Sequence, residues 1–294
     1  MHARIDRSEN RVRIVFALLC VSLAIGTLAH LLGLGVIEAI ATPVAGFSAV
    51  GFVILHGVCL IGVWRLAGFL AAAAGLGFCA ELFSLRYGSL FGSAYQYPAS
   101  IWHNLLLGVP VSVVAFWGVF IYGGYSIVNG FLFFVGAGKP RRGGSESPFI
   151  IPLLALADAF VVTAIDVYMD PINTLRGSWV WTIPGPFFGV PIGNFFGWFT
   201  VSFVASGLFR TYEYLWPRTV VPHRALTYVM PGFAYLMLLL VFTVYACSIH
   251  RLDIALAGLF AMGPVTVLTL ICYTVHNRAA WSLATIGAVS DSRT

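Results

Sequence analysis

The sequence predicts an all-α integral membrane protein: a bundle of about eight membrane-spanning helices with no separate soluble domain. Hydrophobic residues make up 60% of the 294 residues and charged residues only 9%, whereas a soluble domain carries roughly a quarter charged residues. The apolar residues also fall into runs of about 20 or more, the length needed for one crossing of a bilayer. Residues 1–294 are therefore expected to form a single membrane domain, with its motifs between about 75 and 210.

Eight apolar stretches are the predicted spans. In order, they are residues 12–34, 43–64, 66–85, 104–135, 149–170, 187–209, 226–249 and 253–275. The first has no clear small-residue cleavage site, which favours a signal anchor over a cleaved signal peptide. The second and third are separated only by Arg65 and its neighbours, so seven spans remain an alternative. The fourth is longer than one span, and Pro110 is expected to mark its true start or a kink.

The distribution of basic residues predicts a cytoplasmic N-terminus, because cytoplasmic loops are enriched in Lys and Arg. Three basic groups should share that side: the N-terminal arginines, Lys139/Arg141/Arg142 and Arg210/Arg218/Arg224. Loops 35–42, 86–103 and 171–186 then face outward, although His250 and Arg251 in the last outward loop count against this orientation. The net charge of +5 does not indicate nucleic-acid binding, because the basic residues lie in gaps between apolar runs and form no surface.

Two parts of the sequence follow the same order: an acid near a helix end, an aromatic-rich loop, Gly-Val-Pro, and a new helix. The first copy contains Glu81, Gly92-Ser93, Gly108-Val109-Pro110 and Trp117. The second contains Asp166, Gly177-Ser178, Gly189-Val190-Pro191 and Trp198. Both copies start from the same side, so they predict a parallel internal repeat of helix pairs. A chance match of short Gly, Pro and aromatic strings is the alternative.

Carboxylates inside the predicted spans are the candidate site residues, because each costs about 2.5–3.5 kcal/mol at the centre of a span. Glu81, Asp166 and Asp170 lie toward the outward ends of their helices, and Asp158 lies near mid-span. Asp166 and Asp170 are four residues apart and share a helix face. Two such carboxyls do not both ionise readily in a low-dielectric site, so one is expected to be protonated near neutral pH.

Structural roles are the alternatives for these acids. Asp170 precedes Pro171 and could end a helix, and Glu81 could pair with Arg86. Asp158 is the residue that best suits a transporter. The sequence Asp166-Val-Tyr-Met-Asp170 superficially resembles the Asp-rich motif of membrane prenyltransferases. Those enzymes need a second such motif and basic residues for the diphosphate, and this chain has neither.

Aromatic residues and one amide surround the acids in the sequence. The aromatic candidates are Phe91, Tyr95, Tyr97, Trp102, Trp179, Trp181, Phe187, Phe188 and Trp198. They could form an interfacial aromatic belt, or some ring faces could stabilise a carbocation. Asn194 lies just inside the sixth span, where a buried amide needs partners, and it is expected to orient a carboxyl or a water. The seven histidines include no i, i+4 pair, so no metal site is expected.

Several of these segments resemble the carotenoid biosynthesis membrane-protein family that includes CruF-type carotenoid hydratases and the bisanhydrobacterioruberin hydratase. They are Ala80-Glu81, the loop from Phe91-Gly92 to Tyr95 and Tyr97, Gly108-Val109-Pro110 with Trp117, Asp166-x-x-x-Asp170-Pro171, Trp179-x-Trp181, and Phe188-Gly189-Val190-Pro191-x-x-Asn194-x-x-Gly197-Trp198. The first two and last two predicted spans carry no motif that matches.

The resemblance implies that water is added to the terminal C1=C2 bond of a linear carotenoid, with no cofactor or metal, in a bacterial or archaeal cell membrane. Asp166 is then the expected general acid, Asp170 or Glu81 its electrostatic partner, and Asn194 and Tyr97 the groups that position water. The expected substrate contacts are Tyr95, Tyr97, Trp179, Trp181, Phe188, Trp198 and Asp158. A carotenoid cyclase that excludes water and a transporter or lipid-binding protein remain the competing interpretations. The expected partners are carotenoid, water and membrane lipid.

Overall fold

The computed structural model describes residues 2–88, 90–136, 147–218 and 222–291, with side chains between 5 and 277. The helices in this part of the chain are α1 (His2–Leu31), α2 (Gly35–Ile61), α3 (Val63–Tyr87), α4 (Val111–Val135), α5 (Ile151–Leu175), α6 (Ile192–Leu215), α7 (Ala225–Ser248) and α8 (Leu252–Asp291). All eight are long and apolar enough to cross a membrane, which confirms eight spans and excludes the seven-span alternative.

Some predicted helix boundaries are wrong, because hydropathy finds apolar stretches while helices continue into polar residues. The chain reverses at Gly33, which has φ +66°, and α2 then begins at Gly35. The expected outward loop 35–42 is therefore helical. α4 does start after Pro110 as predicted, since Pro110 is its N-cap residue. A short 3-10 turn, Pro148–Ile150, leads into α5.

The start of α6 is also later than predicted. The sixth span was expected from residue 187, but bridges pair Gly185 with Gly189 and Phe187 with Val190 before the helix begins at Ile192. This compact turn brings Asn194 to the first turn of α6, at the same end of the bundle as the end of α5.

The helices pack as neighbouring pairs. α1 packs on α2, α3 on α4, α5 on α6 and α7 on α8. The two central pairs meet through α3 with α6 and α4 with α5. α7 and α8 cover α5 and α4, and α1 packs on α7. The largest core cluster therefore lies between α3, α4 and α6, where Phe69, Trp117 and Ile121 are fully buried.

The predicted internal repeat is supported by backbone geometry. The residues before each Gly-Val-Pro, Leu107 and Phe188, both have positive φ, at 51° and 52°. The glycines that follow have φ of 92° and 89°, a conformation that costs a glycine little. Each proline then caps a helix in an extended conformation, with ψ of 132° at Pro110 and 139° at Pro191. The helix pair α3–α4 is thus repeated as α5–α6.

Of four short strands, two link the loops of the two copies and two form a hairpin within the first copy. β1 (Tyr95–Gln96) pairs with β4 (Val180–Trp181), and β2 (Leu105–Leu106) pairs with β3 (Val109–Pro110), both antiparallel. Tyr95 lies opposite Trp181 and Gln96 opposite Val180. In the repeat, Val180 corresponds to Tyr95 and Trp181 to Gln96. Both are 85 residues later in the chain, the same separation as between Glu81 and Asp166. The register of the β1–β4 pair is therefore compatible with a two-fold relation between the two copies.

The orientation expected from basic residues remains a prediction. The Lys139/Arg141/Arg142 group lies outside the described residues. Arg210, which was expected to belong to a loop group, lies instead inside α6 and is buried. The reason is an ion pair with Asp158, which makes a buried guanidinium tolerable.

Candidate active site

Glu81 is a buried carboxyl on α3 that is surrounded by hydrogen-bond donors. Oε2 accepts hydrogen bonds from the hydroxyls of Tyr95 and Tyr97, the latter at 2.8 Å, and Oε1 accepts one from Trp117 Nε1 at 3.1 Å. Three donors directed at one carboxyl reduce the cost of ionising it in this buried site. The alternative pairing with Arg86 does not occur in the structure, where both residues are described.

Asp166 and Asp170 form a second buried group on α5. One amide nitrogen, Asn194 Nδ2, donates to Oδ2 of both, at 2.8 Å and 2.6 Å. The two carboxyls also lie within hydrogen-bonding reach of each other, a contact that requires a proton on one of them. Oδ1 of Asp166 is buried with no partner among the described residues. That the pair shares a proton remains a prediction.

Asp170 does not end its helix, as one alternative supposed. α5 continues through Pro171 to Leu175. The residue is buried and bonded to Asn194 instead. Its carboxyl is therefore held inside the bundle beside Asp166, where a capping role at the surface is excluded.

The three acids lie close enough to act on one another. Glu81 is within electrostatic range of both aspartates, and Asp170 is within range of Tyr97. In the loop, burial raises the pKa of Tyr95 and Tyr97 well above that of a free phenol, and the adjacent Glu81 carboxyl raises it further. Both tyrosines are therefore neutral hydrogen-bond donors at ordinary pH.

A stack of aromatic rings lies against the Glu81 side of this group. The rings of Trp117 and Trp198 are stacked with their centroids 3.9 Å apart, and Phe91 lies parallel to Trp117 at 6.5 Å. A Cβ on Gly77 would overlap the Trp117 ring, so glycine is needed there for α3 and α4 to approach. Trp117 thus both packs the bundle and donates to Glu81, a role that the sequence analysis missed. The available signal was its place seven residues after Gly-Val-Pro.

Loop aromatics enclose the site at the end of the bundle where the β1–β4 pair lies. Trp181 lies 4.7 Å from Tyr95 and its Nε1 donates to Thr174 Oγ1. Trp179 lies edge-on to Tyr97 at 6.2 Å. Trp102 lies edge-on to Tyr97 at 5.9 Å and donates to the Ser178 carbonyl. These three residues form an apolar cover between the carboxyls and the outside.

Two residues from the predicted site lie elsewhere. Both carboxylate oxygens of Asp158 accept hydrogen bonds from Arg210 at 2.7 Å, so this acid is already neutralised by an internal partner. Phe188 packs against Phe187 and under the Arg251 guanidinium, 5.3 Å from its ring centre. Neither makes a described contact with the three carboxyls.

The remaining site has acid–base groups and apolar walls. Within the described residues, no group of three or more His, Cys, Asp or Glu side chains is arranged to hold a metal ion. The Asp166–Asp170 pair can deliver a proton, the Glu81 carboxylate can stabilise a positive charge, and the aromatic rings can accommodate an apolar chain.

A model of the family described as "Carotenoid biosynthesis protein" matches residues 39–264 of this chain. The matched region begins in α2, ends in α8, and contains the three acids, Asn194 and the aromatic stack. No significant match is found among curated proteins or among solved structures.

Proposed function

Because the chain belongs to the carotenoid biosynthesis protein family, we propose that it is a hydratase that adds water to the terminal C1=C2 bond of a linear carotenoid. The observation that carries this proposal is that two groups converge. The carboxyls of Asp166 and Asp170 bind one amide, that of Asn194, and the nearby Glu81 carboxyl accepts three hydrogen bonds. This arrangement supplies a proton and a negative charge side by side, which are the two requirements of proton-initiated alkene chemistry.

The Asp166–Asp170 pair is the proton donor in this proposal, with Asp166 as the acid. Asn194 holds both carboxyls in place, and no described cation contacts them to stabilise two negative charges. A proton moves from the Asp166 carboxyl to C2 of the alkene, and the π electrons form the new C–H bond. A tertiary cation is left at C1.

Glu81 stabilises this cation as an ionised carboxylate, and the faces of nearby rings contribute further. Water then attacks C1, forming the new C–O bond, and its released proton returns to Asp166. Asn194 and Tyr97 orient the water. The reaction consumes one water and regenerates the acid, so no external proton or cofactor enters the balance.

The carotenoid is proposed to enter from the lipid with its end at the level of the loop aromatics. An extended carotenoid is about as long as the hydrocarbon core is thick, roughly 30 Å. The apolar cover of Trp102, Trp179 and Trp181 then surrounds the terminal isoprenoid unit. Membrane lipid is the solvent from which the substrate is taken.

Product mass tests the proposal and separates its alternatives. Membranes containing the protein are incubated with a linear carotenoid, and the product of a hydratase is heavier by one water, whereas a cyclase product has unchanged mass. Asp166→Asn should abolish the product, while Asp253→Asn, a surface carboxylate paired with Arg251, should leave it unchanged. Absence of any hydrated product in membranes shown to contain the substrate would contradict the proposal.

The transporter interpretation depended on Asp158. Since that carboxylate is bound by Arg210 at both oxygens, its chemistry is that of a structural ion pair. Unchanged pigment composition together with altered uptake in Asp166→Asn would support transport and contradict the hydratase.

A further inference from the structure

A second buried polar centre lies on α4, α5 and α6, three of the helices that also contribute to the site. Besides Asp158, Arg210 contacts Asn129 Oδ1 at 3.2 Å and lies 4.8 Å from the Tyr125 ring centre. The Tyr125 hydroxyl donates to Glu213 at 2.6 Å, and Arg218 donates to the other Glu213 oxygen at 3.4 Å. Arg218 is partly exposed, so this centre reaches one end of the bundle.

Polar residues continue from this centre along the buried side of α6. Asn194, Ser202, Ser206 and Arg210 are all at least nine-tenths buried. Ser206 lies near Asp158, and its hydroxyl has no hydrogen-bond partner among the described residues. Ser202 is fully buried, and its hydroxyl has no hydrogen-bond partner among the described residues. A buried hydroxyl without a protein partner commonly binds water.

Ser202 lies between the two polar centres. Asn194, eight residues before Ser202, contacts Asp166 and Asp170. Ser206, four residues after Ser202, lies near Asp158. Asp158 and Asp166 are separated by about 12 Å along α5, at 1.5 Å per residue. Along α6, Ser202 thus lies one helical turn from Ser206 and two turns, about 12 Å, from Asn194. Asp166, at the site end of the interval of about 12 Å along α5, also has an oxygen, Oδ1, without a partner among the described residues.

We propose that Ser202 and Ser206 carry a file of water molecules that connects the Arg218 end of the bundle to Asp166. This inference rests on the proposed hydratase function, for which it assigns the route of the second substrate. A carotenoid end under the loop aromatics covers the loop side of the site, so water reaches C1 from within the bundle. Water between Ser202 and Asp166 would be consumed by the reaction and replaced along the file.

Thiol accessibility tests the route without requiring any carotenoid chemistry. Ser202→Cys and Ser206→Cys are compared with Ala205→Cys, whose site is equally buried but apolar in its surroundings. A small, charged, membrane-impermeant methanethiosulfonate is added to sealed vesicles of either orientation. Peptide mass spectrometry reads the modification at the introduced cysteine itself, so the native cysteines stay in place.

The expected result is modification of Ser202→Cys and Ser206→Cys at least about tenfold faster than Ala205→Cys, because thiol reaction follows access to water. It should occur only when the reagent is on the Arg218 side. Equal rates at the three positions, or reaction only from the opposite side, would overturn the route.

A second measurement keeps the test decisive if a cysteine variant fails to fold. Ser202→Val should lower the rate of hydrate formation severalfold without changing KM for the carotenoid, while Ser202→Thr should restore it. A normal rate in Ser202→Val would overturn the proposal. If the wild-type protein formed no hydrate at all, the proposed function would fail, while the labelling result would still decide the water route.

Discussion

Replacing Glu81 with glutamine removes a negative charge while keeping the shape of the side chain. The carboxylate accepts three hydrogen bonds through its two oxygens, but an amide has one oxygen, so at least one donor is left facing an N–H group. A hydrogen bond to a charged group contributes about 1.5–3 kcal/mol. Loss of a preorganised group that stabilises developing charge costs about 2.7–4 kcal/mol.

Because these two effects overlap, we expect Glu81→Gln to raise the barrier by about 3 kcal/mol, which lowers the rate about a hundredfold. The assay is a time course of hydrated carotenoid in membranes, quantified by mass spectrometry at several substrate levels. The decrease should fall on kcat and leave KM nearly unchanged, since Glu81 acts on the cation and the neutral carotenoid carries no charge.

Glu38→Gln is a matched control, because Glu38 also accepts a tyrosine hydroxyl, that of Tyr245 at 2.7 Å, away from the site. It should turn over at the wild-type rate. Near-normal turnover by folded Glu81→Gln protein, or an equal loss in both variants, would refute the assignment of Glu81 to the cation.

Three further predictions concern its neighbours. Asn194→Leu leaves two carboxyls without their shared amide and should destabilise the protein by about 2 kcal/mol, seen as a lower melting temperature in detergent. Gly77→Ala should cost about 1–3 kcal/mol by displacing Trp117, whereas Gly75→Ala, which has open space at its Cβ, should melt normally. The pKa of Tyr97 is raised. The stability contributed by its neutral form is therefore fully present below the ordinary phenol pKa of about 10, and it is lost only as pH rises through the raised pKa. An alkaline loss of activity well below pH 10 that Tyr97→Phe removes would contradict this.

Much of the architecture was predictable because it depends on hydropathy and on local backbone chemistry. Eight apolar stretches became eight spanning helices, and Pro110 began α4 as expected. The repeated Gly-Val-Pro was informative because glycine and proline restrict the backbone directly. Boundaries such as Gly35 were mispredicted, because a helix can continue through a residue such as Glu38 when tertiary partners satisfy it.

The candidate site was predictable in composition but not in its connections. Helix periodicity placed Asp166 and Asp170 on one face. Asn194 was expected to orient a carboxyl or a water, but the sequence did not indicate which carboxyl. No sequence pattern paired Asp158 with Arg210, which are 52 residues apart. The sequence also did not predict that Phe188 lies away from the acids, because an aromatic residue type gives no indication of a positive φ.

The β1–β4 pair has a consequence for the ancestry of the protein. A two-residue antiparallel ladder between corresponding loops is what two identical chains would make on meeting as a dimer. Duplication and fusion of such a chain would leave one carboxyl at the same position of each half, today Glu81 and Asp166. Divergence could then surround one with three donors and give the other a second carboxyl. Neither half would be an enzyme alone, and two fragments divided between Gly136 and Ser147 should be active only when they are produced together.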